Sequence, residues 1–146
     1  MKKKFELTTE TKIIYGKKLY RIKALIAFGN VSEGELGGWI EKEKNLSHDG
    51  NAWVYDNAMV CDDARVCGNA RVCDDADLMW ISKIGSRNDT VTFFKTKNLT
   101  IGVSVGCFKG TIDEFEKKVE TTHGDNEHAQ AYKLAIQLAK LRIKLK

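Results

Sequence analysis

The sequence predicts a mainly β fold with α-helices near its C-terminal end. The expected architecture is a short left-handed parallel β-helix of hexapeptide repeats, capped by an N-terminal β-hairpin and by a C-terminal β-hairpin plus two helices. Three observations carry this prediction. Val54, Val60, Val66, Val72 and Leu78 stand six apart, and so do Ala52, Ala58, Ala64, Ala70 and Ala76. Near the N-terminus, apolar residues alternate with polar ones on either side of Gly16-Lys17. Toward the C-terminus, two amphipathic stretches each begin at a capping residue, Thr111 and Asp125 or Asn126.

The period of six decides among the regular structures. A helix repeats its apolar face every 3.6 residues and a strand every two. Strict sixes suit short strands broken by a corner, as in parallel β-helices, where each repeat buries its face only by stacking on neighbours. The inward aliphatic is Val, the small residue four later is Ala, and the Asn or Asp before that Ala supplies a tolerant turn. Eighteen residues would close one coil, placing Leu36 under Val54 under Val72, so LGGWIE (36–41) reads as an earlier hexad. The structural residues of the repeat are therefore Val54, Ala58, Val60, Ala64, Val66, Ala70, Val72, Ala76 and Leu78. About two coils are fewer than repeat stacks usually need, so caps and association of copies are both expected.

The chain divides into 1–35, an N-terminal β cap; 36–82, the hexapeptide-repeat β-helix; and 83–146, a C-terminal hairpin and two-helix lobe, the whole forming one cooperative unit. In the first segment Ile13–Tyr15, Gly16-Lys17 and the alternating Tyr20, Ile22 and Ala24 predict a hairpin, and GNVSEGELGG (29–38) a loop. In the third, WISKIG is a strand, and TVTFFKTKNLTIGVSVGCF a hairpin turning at Lys97-Asn98. Thr111 with Glu114 forms a capping box for a helix ending at His123-Gly124. A second helix runs to about Lys144 with Ala129, Tyr132, Ala135, Ile136, Ala139 and Ile143 on its buried face. Lys140, Arg142, Lys144 and Lys146 complement its C-terminal dipole.

Composition bounds the function. Of 146 residues, 42% are hydrophobic and 30% charged, as in a soluble globular protein, and no apolar run is long enough to span a membrane. MKKK leads into FELTTETKII rather than an apolar block, which argues against a secretory signal. Four cysteines without a leader predict a reducing, cytoplasmic setting. The net charge of +4 divides as +4 over 1–48, −5 over 49–77 and +5 over 78–146. That distribution is not a DNA mimic, and scattered basic residues disfavour nucleic acid as a partner.

The motifs GKKLYRIKAL, GELGGWIEKEKNLS, the Asn-Ala-x-Val hexads, GSRNDTVTFF, GCFKGTIDEF and THGDNEHAQAYKLA span nearly the whole chain. Their combination resembles small phage and prophage proteins of Gram-positive-type bacteria, which carry hexapeptide repeats between constant ends. The resemblance implies a β-helix protein of phage origin and no established catalytic activity.

The remaining chemistry is weighed residue by residue. Cys61, Cys67 and Cys73, six apart, point to diverging faces and suit neither a zinc site nor a disulfide, although equivalent cysteines of three packed copies could meet at an axis. The corner aspartates, among them Asp56 and Asp74, read as solvated turns, with a calcium site as the alternative. No metal and no cofactor is expected. A hexapeptide-repeat acyltransferase would use a His as base, and His48 is the one near the coils, where a turn or surface role is favoured. Trp39, Trp53 and Trp80 pack the coil ends, a partner surface being the alternative.

The candidate ligand site is Ser86, Arg87, Asn88 and Thr92 from one segment with Phe108, Lys109 and Thr111 from another, and His123 as an accessory. A guanidinium fork, hydroxyls, a helix N-terminus and a stackable ring suit a phosphate- or nucleotide-bearing ligand, provided that the two segments meet. The competing reading is that they are hairpin turns and a helix cap stabilising the lobe. No catalytic residue is assigned. The expected function is that of a non-enzymatic oligomeric binding protein, a trimer most simply, that neutralises a host defence protein or sequesters a small anionic signal. The alternatives are a structural spacer and a degenerate acyltransferase.

Overall fold

The computed structural model describes residues 3–145. The reading of the first residues as no secretory signal and the dipole role of Lys146 fall partly or wholly outside that range. Strand β1 (Phe5–Ile14) turns through Tyr15 and Gly16, both at positive φ, into β2 (Lys17–Ala24), an antiparallel hairpin. β3 (Leu36–Ile40) adds antiparallel to β2, and β5 (Met59–Val60) adds parallel to β3. Between them, β4 (Trp53–Val54) pairs parallel with β6 (Arg71–Val72). The chain then enters a four-stranded antiparallel meander, β7 (Leu78–Ile84), β8 (Asp89–Lys95), β9 (Ile101–Val105) and β10 (Phe108–Thr111). Helices α1 (Ile112–His123) and α2 (Glu127–Arg142) follow.

The left-handed parallel β-helix expected from the period is therefore not the architecture. Two four-stranded sheets, in the orders β1-β2-β3-β5 and β10-β9-β8-β7, dominate the molecule, and five of their six strand pairs are antiparallel. Among the described residues, parallel pairing is confined to the two-residue pairs of β3 with β5 and β4 with β6 and to a bridge between Leu46 and Val66. Such strands are too short to form a stable sheet by themselves. The hexads instead lean on the long N-terminal hairpin through β3.

The sixes nonetheless organise the turns. Asp56, Asp62 and Gly68 take φ of 52°, 57° and 65°, so the left-handed residue stands two before each Ala rather than directly before it. At the next equivalent position Asp74 is extended (φ −150°) and its carboxylate accepts from Ala76 N, starting a 3-10 turn at Asp75–Asp77. That break explains Ala76, which is exposed, while Val54, Ala58, Val60, Ala64, Val66, Ala70, Val72 and Leu78 are buried. Leu36, expected to lie inside beneath Val54, is 53% exposed, and Ile40 and Leu46 fill the layer instead. Asn45, fully buried in the degenerate stretch, organises it. Its Oδ1 accepts from Glu41 N (3.1 Å) and Lys42 N (2.8 Å), and its Nδ2 donates to Asp62 O (3.2 Å) and Ala64 O (2.8 Å).

The C-terminal lobe has one strand more than expected. The run IGVSVGCFKGT is bent at Gly106-Cys107 into β9 and β10, so the hairpin is half of a four-stranded meander. The capping box is present: Glu114 N donates to Thr111 Oγ1 (3.1 Å) and Thr111 N donates to Glu114 Oε1 (2.8 Å). Asn126 rather than Asp125 caps α2, its Oδ1 accepting from Ala129 N at 3.0 Å. Two hydrophobic cores result. One lies under the N-terminal sheet and the hexads and takes Leu78 and Phe94. The other lies between the meander and the helices and takes Val91, Phe93, Val103, Phe115 and Ile136.

Candidate functional site

Two hairpin tips and one face of α1 converge on the edge of the second core. The β7–β8 tip brings Ser86, Arg87 and Asp89; the β9–β10 tip brings Gly106, Cys107 and Phe108; α1 brings Phe115, Lys118, Val119, Thr122 and His123. With Tyr132 of α2, these residues line a cleft of about 300 Å³. The two segments singled out in the sequence thus meet in space.

Its floor is aromatic. Phe115 lies 5.4 Å from Phe108 and 5.2 Å from Tyr132 between ring centroids, the second pair edge to face. His123 lies nearly parallel to Tyr132 at 6.1 Å and 5.4 Å from His128. The Tyr132 hydroxyl abuts the backbone at Gly85, where an added Cβ would lie 2.1 Å from it; Gly85 also has φ +83°, so no other residue suits that turn. Burial, and then the carboxylate of Asp89, push the Tyr132 phenol above its ordinary range. It therefore stays a neutral hydroxyl, able to donate.

The rim is charged and solvated. Ser86, Arg87, Cys107 and Lys118 are exposed, and neither Arg87 nor Lys118 has an ion-pair partner among the described residues. Two cations and one carboxylate, Asp89, face the opening. Such a rim favours an anion, and the rings beneath favour a flat, apolar body attached to it.

Four of the eight candidate residues, Ser86, Arg87, Phe108 and His123, line this cleft. The other four are placed elsewhere. Thr92 is fully buried, and its Oγ1 accepts from Arg65 N at 3.0 Å, tying the meander to the hexads. Thr111 is occupied on both its hydroxyl and its N–H by the capping box. Asn88 sits at φ 50° in the β7–β8 turn, its N–H donating to Gly85 O. Lys109 points to a neighbouring groove of about 670 Å³ shared with His48, Arg65 and Cys67. Sequence reasoning missed Phe115, Lys118 and Tyr132. On a helix a Lys reads as solvated and an aromatic as core, and only their placement against the hairpin tips and opposite Gly85 marks them.

In the neighbouring groove, His48 is fully engaged. Its Nδ1 accepts from Lys4 N (3.0 Å), which places the proton on Nε2, 3.3 Å from Glu43 Oε2. The ring stacks on Phe5 at 4.2 Å. With one nitrogen accepting and the other donating, no lone pair is free to take a substrate proton. Cys67 beside it is buried, and that burial pushes its thiol up and leaves it unreactive. Among the described residues no cluster of three or more His, Cys, Asp or Glu is arranged to hold a metal ion, and no helix is long and apolar enough to cross a membrane.

No family model matches the chain. It is similar over a short stretch to an uncharacterized acetyltransferase, YdcK of Escherichia coli (strain K12), at 45% identity over 38 residues. That stretch is 26% of this chain and 12% of YdcK, so the chain matches about an eighth of its relative's length.

Proposed function

We propose that this chain is a non-catalytic binding protein that takes a small anionic, ring-bearing ligand, of the nucleotide kind, in the cleft between the two hairpin tips and α1. The observation that carries this reading is the placement of Arg87 and Lys118 on the rim above the Phe108, Phe115 and Tyr132 rings. Guanidinium and ammonium groups hold phosphate, and the half-buried Phe108 ring, backed by Phe115 and Tyr132, supplies a surface for a base. The resemblance to phage and prophage proteins supports sequestration of a signal, or neutralisation of a host protein, in an infected bacterial cell.

A thermal-shift screen with inorganic phosphate, pyrophosphate, nucleotides and cyclic nucleotides tests it. At least one nucleotide is expected to raise the melting temperature, with affinity reduced about tenfold by Arg87→Ala or Lys118→Ala and raised a few-fold by Asp89→Asn. If no compound shifts the wild type, or if the shift survives Arg87→Ala and Lys118→Ala together, the reading fails.

A second reading, acyl transfer, is favoured by the short likeness to an acetyltransferase. The hydrogen bonds of His48 speak against it, since a general base needs a free nitrogen. Acetyl-CoA binding lost in His48→Ala, with product formed by the wild type, would establish the enzyme instead.

A further inference from the structure

We infer that the outer face of α2 is where two copies of this chain pair, helix against antiparallel helix about a twofold axis. α2 carries two apolar faces. Ala129, Tyr132, Ala135, Ile136 and Ala139 are buried in the chain's own core. On the other side Leu134, Leu138 and Leu141 are 69%, 43% and 66% exposed. These leucines are spaced four and three residues apart, the alternation of a coiled-coil seam. A solvated helix face is normally polar, and an ordered row of leucines in water is a binding surface.

Charge selects both the occupant and its direction. Glu127 lies at one end of the row, and Arg142 and Lys144 lie at the other. Among the described residues, neither Glu127 nor Arg142 makes an ion pair within the chain. A parallel pair would set like charges against each other at both ends. An antiparallel pair sets Glu127 of each copy beside Arg142 and Lys144 of the other and aligns the helix dipoles favourably. The same register lays Leu134 against the second copy's Leu138. The contact is self-complementary and closes at two copies.

A membrane surface suits the row less well. Among the described residues, its free cations, Arg142 and Lys144, are gathered at one end, while the residues along it are the uncharged amides Gln130 and Gln137, and Lys140 and Lys133 are held by Glu116 and Asp125. A helix lying on an anionic bilayer instead carries free lysines beside its apolar face. The pairing is independent of the ligand cleft and stands or falls without it.

Sedimentation velocity of the full chain, from about 1 to about 50 µM, reads the mass directly. A concentration-dependent dimer is expected. Leu134→Ser with Leu141→Ser should leave a monomer of unchanged circular dichroism, since both side chains are exposed. Glu127→Lys should raise the dissociation constant about tenfold, and adding Arg142→Glu and Lys144→Glu should restore it. A wild-type monomer throughout, a trimer, a dimer indifferent to the serine pair, or a failure of either charge step overturns the inference. So does a monomer that co-floats with vesicles containing one third phosphatidylserine, which gives the face to lipid.

Discussion

Lys4 shows how a single residue can matter without standing out in the sequence. It sits in a basic tract that reads as solvated, yet it is 2% exposed, its ammonium donating to Ala52 O at 2.7 Å and lying 4.7 Å above the Phe28 ring. Desolvation, offset in part by the Asp49 charge, brings its pKa down to about 8. Between about pH 8 and the unfolded value of 10.5, the unfolded chain holds more protons at this site than the folded one. The contribution of Lys4 to stability therefore rises with pH across that window. Measured against Lys4→Met, whose side chain does not titrate, the wild type should gain about 1–2 kcal/mol between about pH 7 and pH 9.5 in denaturant melts. A constant difference would show that the ammonium is not desolvated. Nothing local distinguishes Lys4 from Lys3, because its burial depends on a chain reversal more than forty residues away, at the carbonyls of Gly50 and Ala52.

Among the elements, those set by neighbours in sequence were legible and those set by distant partners were not. The caps at Thr111 and Asn126 and the buried face of α2 follow from residues within one or two turns. The β1–β2 hairpin follows from its alternation and its glycine turn. The period of six located the buried valines. It could not reveal that β3 would be claimed on one side by the N-terminal hairpin, because that pairing is non-local and leaves no periodic trace. Of the candidate cleft, the two hairpin tips were legible as polar clusters, while its helical wall was hidden in an ordinary amphipathic pattern. β3 is also tightly packed against the hexads. A Cβ on Gly38 would lie 2.5 Å from Ala58 O and 2.7 Å from Val54 Cγ1, the first contact being rigid backbone. Gly38→Ala should therefore cost about 2–4 kcal/mol, read as a lowered midpoint with unchanged denaturant slope. A loss below about 0.5 kcal/mol would mean that β3 does not press against the hexads.

Across the whole molecule, β8 is the wall between two cores. Phe94 enters the one under the hexads and Phe93, its immediate neighbour, the one under the helices. The Lys95–Asp77 ion pair (3.3 Å) and the Arg65–Thr92 hydrogen bond fasten the same boundary. Neither half can unfold without exposing one face of a strand that the other half needs. Calorimetry should show one transition, lowered as a unit by Phe93→Leu and by Phe94→Leu, each by about 1–2 kcal/mol. Two transitions responding separately to the two substitutions would divide the molecule at β8. The cleft inherits its character from this wall. Its floor belongs to a core and is bound to the fold, whereas its rim is made of Ser86, Arg87, Cys107 and Lys118, all exposed. Evolution is therefore free to rewrite the rim while the frame stays constant. Descendants of this chain should diverge first at that rim and last in how they fold.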